Sequence, residues 1–159
     1  MLAKNIDELE ILRDQCKSLV TTHAGISAGS AVIPIPGVDI GADIALLLEM
    51  IPTINRKFGL SPDEIDELDP QTKKIILVAI TSIGSEMVGK LITEQLIMQV
   101  LKRIGIRVAT KSIVKYIPIL GSALAASISF GAMKLVGNSH VNDCYEVAKK
   151  AILLREAAV

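Results

Sequence analysis

Apolar residues recur at helical intervals along nearly the whole chain, and proline or glycine punctuates them. Asn5 stands at capping-box spacing from Glu8, and Ile6, Leu9, Leu12, Cys16 and Leu19 then repeat on one helical face. The pattern predicts a first helix continuing to about Val32, bent near Gly25. The phrase Ile33-Pro34-Ile35-Pro36-Gly37 ends it, because proline inside a helix loses a backbone bond and clashes with the preceding turn. A second helix opens near Val38. Asp39 serves as a structural cap in its first turn, where a negative charge suits the helix dipole, and the helix runs to Phe58 with a kink at Pro52.

Gly59 is a stop after Arg56 and Lys57, and Ser61-Pro62-Asp63-Glu64 supplies a cap, an N1 proline and a capping glutamate. Asp69-Pro70 repeats the start signal. The apolar run through Ile75, Val78, Ile83, Met87 and Leu91 predicts one helix to about Ile104, ended or bent at Gly105. Another should cover residues 106–116. The second phrase, Ile117-Pro118-Ile119-Leu120-Gly121, begins a buried helix near Ile119, and Asn138 or Ser139 caps a last one through Leu154. Period-two alternation is weak everywhere, residues 75–83 being the one candidate strand. The expected fold is all-α: a single compact domain over residues 1–159, with about six to seven helices arranged as hairpins.

Ser18 to Val38 and Tyr116 to Met133 carry no formal charge and are rich in Gly, Ala, Ser, Val and Ile. Small residues let helix backbones approach. Gly25, Gly29, Gly37, Gly41, Gly121 and Ala125 are therefore expected where helices pack closely.

At 159 residues and 50% hydrophobic content the chain suffices for one domain with a substantial core. Its four aromatic residues, Phe58, Tyr116, Phe130 and Tyr145, leave that core to Ile, Leu, Val and Ala, and they disfavour stacking on single-stranded nucleic acid. Net charge is zero, so no global field draws nucleic acid or an acidic membrane. Local charge is uneven. Residues 39–69 hold eight acids against two bases, whereas residues 95–142 hold six bases and no acid. Cys16 and Cys144 lack the spacing of a zinc or redox motif and read as reduced cytosolic thiols. The mixed charges of residues 1–10 are wrong for a signal peptide.

Three strings resemble chemical motifs. Gly84-Ser85-Glu86-Met87-Val88-Gly89-Lys90 matches most of a phosphate loop, but Leu91 follows where magnesium needs a hydroxyl, and the apolar pattern keeps helical period through both glycines. Gly25-Ile26-Ser27-Ala28-Gly29 matches a nucleophile elbow without the strand and sheet that such an elbow requires. Nothing in the sequence brings His23 or His140 to Ser27. Asp39 and Asp43 share a helix face, yet no partner motif completes a metal or acid–base site. No catalytic residue, metal site or cofactor is assigned.

Ser30 through Asp39 to Phe58-Gly59-Leu60, and Tyr116 through Ser122 to Ser129-Phe130, resemble the C-terminal helical domain of the immunity-related GTPases. So does the closing helix bearing Ala148. The resemblance covers residues 26–68 and 114–152, and similar phrases occur in helical domains that accompany bacterial inner-membrane GTPases. It implies a dynamin-like defence protein of innate immunity whose helical domain meets membrane. The GTPase domain is absent from this chain, which is either the helical part of a longer protein or a free-standing relative.

The expected function is non-enzymatic: peripheral association with an anionic membrane surface, self-assembly into a homo-oligomer, and work with a GTPase domain or GTPase partner. The expected location is cytoplasmic, peripheral to membrane, with no nucleic-acid role. Lys102, Arg103, Arg107, Lys111 and Lys115 form the candidate lipid contact, the last three spaced by four with no acid near them in sequence. A soluble helical adaptor module and a membrane-inserting toxin are the alternatives.

Overall fold

The computed structural model describes residues 2–30, 38–109 and 118–157, with the side-chain surroundings of residues 28, 30, 38–42, 104–109 and 118–129 outside that description. Six helices are formed among the described residues: α1 (Ile6–Ser30), α2 (Val38–Lys57), α3 (Pro62–Asp66), α4 (Pro70–Ile83), α5 (Glu94–Ala109) and α6 (Pro118–Glu156). The all-α expectation holds, and residues 75–83 are helical.

Local chemistry sets most of the boundaries. Asn5 Oδ1 accepts from the Glu8 amide at 2.9 Å, and the Glu8 carboxylate accepts from the Lys4 amide, so α1 starts where the capping pattern placed it. At the end of α2 the Leu60 amide donates to the Asn55 carbonyl at 2.8 Å and the Gly59 amide to that of Arg56 at 3.0 Å. This is a Schellman closure, and it needs the left-handed φ of +69° that Gly59 supplies. Asp69 Oδ1 accepts from the Gln71 and Thr72 amides and starts α4. Ser61 differs from expectation: it stands at the N-cap of α3, but its hydroxyl donates to Glu64 and accepts from no backbone amide.

Three expected boundaries are corrected. The run from Pro70 is not one helix, because Gly84 at φ +73° caps α4 and residues 84–93 form a loop before Thr93 Oγ1 caps α5 through the Leu96 amide. Gly105 neither ends nor visibly divides α5, which continues to Ala109. Asn138 and Ser139 start nothing, since α6 runs unbroken for 39 residues. Their polarity suits caps, but the apolar contacts of Val136, Val141 and Cys144 carry the helix through them. The breaks foreseen at residues 34–37 and at Gly37 lie outside the described residues.

The core is a layer of aliphatic side chains that α6 shares with its neighbours. Leu9, Cys16 and Val20 of α1, Leu47, Met50, Ile51 and Ile54 of α2, Ile76 of α4, Ile97 of α5 and Val136, Val141 and Val147 of α6 are all almost fully buried. Each large side chain so buried stabilises by roughly 1.5–3 kcal/mol. Polar ties then fix register between α1 and α6: the Tyr145 hydroxyl donates to Glu10, Arg13 stands 4.6 Å from the Tyr145 ring centroid, and Lys134 donates to Thr21 at 2.8 Å.

Candidate functional site

The phosphate-loop string is a true loop, contrary to the helical continuity expected of it, but its backbone is already committed. Ser85 Oγ accepts from the Met87 and Val88 amides at 3.4 and 3.2 Å, two of the donors that a phosphate would need. Gly89 has φ +69°, and a Cβ there would stand 2.9 Å from both Ile65 and Ile80, so this glycine serves close apolar packing. Asp143 of α6 faces Ser85, its carboxyl raised by burial, with the Ser85 hydroxyl opposing. A helix precedes the loop in place of a strand, and the following helix waits until Glu94. The geometry suits anchoring to the core, not the cradling of an anion.

What anchors the loop is a buried polar knot absent from the sequence expectations. Asn55 Nδ2 donates to the Met87 carbonyl at 3.1 Å, which leaves Asn55 Oδ1 as an acceptor for His140 Nε2–H at 3.0 Å and for the Cys144 thiol at 3.5 Å. The knot therefore ties α2, the 84–93 loop and α6 together. It also selects the His140 tautomer with hydrogen on Nε2.

Cys, His and Asn are the residue types of a thiol hydrolase, and here Cys144 Sγ lies 3.6 Å from His140 Nε2. The electrostatics are opposite to those of catalysis. Burial pushes the thiol well above its ordinary range, with the charge of Asp143 adding to it, and pushes the imidazole down to about 4 against the Ile51 carbonyl. A nucleophilic thiol needs a lowered pKa and access; all three side chains are buried. His140 Nδ1 is buried without a hydrogen bond. The two cysteines are free, Cys16 pushed up to about 11 by burial. Sequence reading missed this cluster because Asn55 is 85 positions from His140, and the four-residue step from His140 to Cys144 was the one available signal.

Ser27 of the elbow-like string is buried within α1 and donates to Asp43 of α2. His23 Nδ1 is bonded to the Leu19 carbonyl on its own helix, so it does not serve Ser27. Among the described residues no group of three His, Cys, Asp or Glu side chains could hold a metal ion.

Of the expected packing positions, only Gly25 and Gly29 have described surroundings. Among the described residues a Cβ at Gly25 or Gly29 would meet nothing within 4 Å, and both glycines are exposed. The close approach is at Gly137 of α6 instead, where a Cβ would lie 2.6 Å from Val20 and 3.0 Å from Met50. Small-residue spacing alone did not tell which face of a helix meets a neighbour. Gly37 lies outside the described residues, as do the surroundings of Gly41, Gly121, Ala125 and Asp39.

Of the basic stripe, Lys102 and Arg103 are exposed on α5, whose Ile97 points into the core. Arg103 pairs with Glu86, an acid that the 84–93 loop brings from 17 positions away, so the stripe is not free of acids. Lys111, Lys115 and the side chain of Arg107 lie outside the described residues. Among those described, no helix is long and apolar enough to cross a membrane.

Comparison with known proteins places these features in context. No family profile and no solved structure matches the chain. It is 24% identical over 147 residues to Interferon-inducible GTPase 5 of Bos taurus, and equally to Interferon-inducible GTPase 5 of Rattus norvegicus. Each match covers 92% of this chain and 32% of the relative, so the chain spans about a third of their length. The chain is thus a distant, partial homologue of interferon-inducible GTPases.

Proposed function

We propose that this chain is a non-enzymatic helical domain of the kind that accompanies immunity-related GTPases, acting by peripheral association with anionic membrane and by self-assembly. The observation that carries the membrane part is the division of α5: Ile97 is buried in the core while Lys102 faces solvent without an ion-pair partner among the described residues. The helix thereby turns an outer side toward a surface without surrendering its place in the fold. The distant homology, extending over nearly all of this chain, supports a GTPase domain or GTPase partner as what drives assembly.

Attraction of about 1 kcal/mol per base near an anionic leaflet gives reversible binding that assembly reinforces. Flotation with liposomes, with and without phosphatidylserine, tests it on the wild type and on a variant with Arg107, Lys111 and Lys115 changed to Glu. Binding of the wild type alone, dependent on anionic lipid, is the expected result. Equal flotation of the two proteins discards the basic stripe. No flotation at any composition leaves a soluble interaction module.

A further inference from the structure

We infer that copies of this chain join head to tail, the acidic outer face of α1 on one copy packing on the open basic and apolar face of α4 on the next. The inference rests on the self-assembly reading above and names its surface. This open face of α4 is made by Pro70, Lys73, Lys74, Leu77, Val78, Thr81 and Ser82. At its centre Leu77 and Val78 are 47% and 50% exposed. Cations stand at both ends: Lys74 three residues before Leu77, and Lys150 of α6, whose ammonium donates to Ser82 at 2.7 Å. Lys73 is already held by Asp66, so Lys74 and Lys150 are the ones left for a partner.

The opposite pattern occurs on α1. Ile11 is 61% exposed, the most exposed isoleucine of the described core helices, and Asp7 and Asp14 lie four before it and three after it on the same face. Asp7, Ile11 and Asp14 thus present acid, apolar centre and acid over about 10 Å of helix. This matches cation, apolar centre and cation across the α4 face. Lys4 and Lys57 stand beside Ile11 on the side that it shares with Glu8 and Gln15.

Within one chain α1 and α4 each pack on α6 and make no substantial contact with each other, so the match is met between molecules. Two different patches make a heterologous contact, which propagates into a ring or an open filament and does not stop at a dimer. Exposed ion pairs around a small apolar centre make the contact weak singly and sensitive to salt.

Charge reversal tests this. One variant carries Asp7→Lys and Asp14→Lys, so that both faces are basic; the other carries Lys74→Glu and Lys150→Glu, so that both are acidic. In sedimentation velocity over a rising concentration series, the wild type should assemble, and added salt should weaken it. Each variant alone should be monomeric, with self-association weakened by about tenfold or more, and their equimolar mixture should assemble again, copies alternating. Circular dichroism and thermal melting establish that each variant is folded. Assembly of either variant at wild-type strength, or a monomeric mixture of folded variants, removes this surface and leaves self-assembly standing. A monomeric wild type at every concentration removes both.

Discussion

Mild acid should weaken this fold through His140. In the folded chain burial pushes its imidazole from 6.5 down to about 4, whereas in the unfolded chain it titrates near 6.5. Between those values the unfolded state binds a proton that the folded state refuses, so stability rises with pH and falls as pH drops. The contribution is present in full above about pH 6.5, drains as pH falls, and is gone below the folded pKa near 4. At about 1.4 kcal/mol per pKa unit the whole loss is about 3 kcal/mol, of which about 2 falls between about pH 7 and pH 5. Two shifted carboxyls do not imitate it. Burial raises Asp143, which adds stability toward acid and so opposes the loss, while the Thr72 hydrogen bond lowers Asp69, whose stabilisation drains as pH falls through and below the ordinary carboxylate range, under the interval from about pH 7 to pH 5. Urea unfolding at the two pH values, for the wild type and for His140→Gln, isolates the effect, since Gln keeps an N–H for Asn55 Oδ1 and cannot titrate. The wild type should lose about 2 kcal/mol and the variant far less. Equal losses would refute the buried neutral imidazole as the cause.

Two further predictions follow from packing and from the polar knot. Gly137→Ala should cost about 1–3 kcal/mol by overpacking against Val20, whereas Gly25→Ala and Gly29→Ala, in open space within α1, should each gain about 0.5–1 kcal/mol; thermal denaturation measures both, and the reverse order would overturn the assignment of the tight glycine. Asn55→Ala should cost about 1–3 kcal/mol for each buried group left unpaired among the Met87 carbonyl and His140 Nε2–H, with faster amide exchange across the 84–93 loop. Wild-type stability and exchange would show the knot to be dispensable.

Helix starts and stops were legible where a short-range signal suffices. Asn5 with Glu8, Gly59 after a basic turn and Asp69 before Pro70 act within four residues, and each performs as its chemistry requires. Gly84 and Gly89 misled because their apolar neighbours keep helical spacing while the glycines themselves take positive φ. Hydrophobic period reports which residues are buried, not whether the backbone between them stays helical. The same limit hid α6, whose Asn138 and Ser139 look like caps locally and are overruled by burial on either side. Candidate sites were less legible still. The Asn55–His140–Cys144 knot and the pairing of Arg103 with Glu86 join distant positions, and the exposure of Gly25 and Gly29 is set by tertiary packing, which no local spacing encodes.

At 1.5 Å per residue the 39 residues of α6 reach about 58 Å, while a globular domain of this length has a radius of gyration of about 15 Å. Gly137, wedged against Val20 and Met50, stands at the midpoint of the helix. A stiff rod held at its centre has two equal arms. Tyr145, Cys144 and Lys150 grip one arm through α1, α2 and α4, and the other begins at Pro118, beside the second proline-glycine phrase. Tied at three points to three other helices, the Glu156 arm is fixed to the body of the fold from the close glycine crossing outward. Gly137→Ala would therefore push α6 away from Val20 and Met50 at the root of both arms.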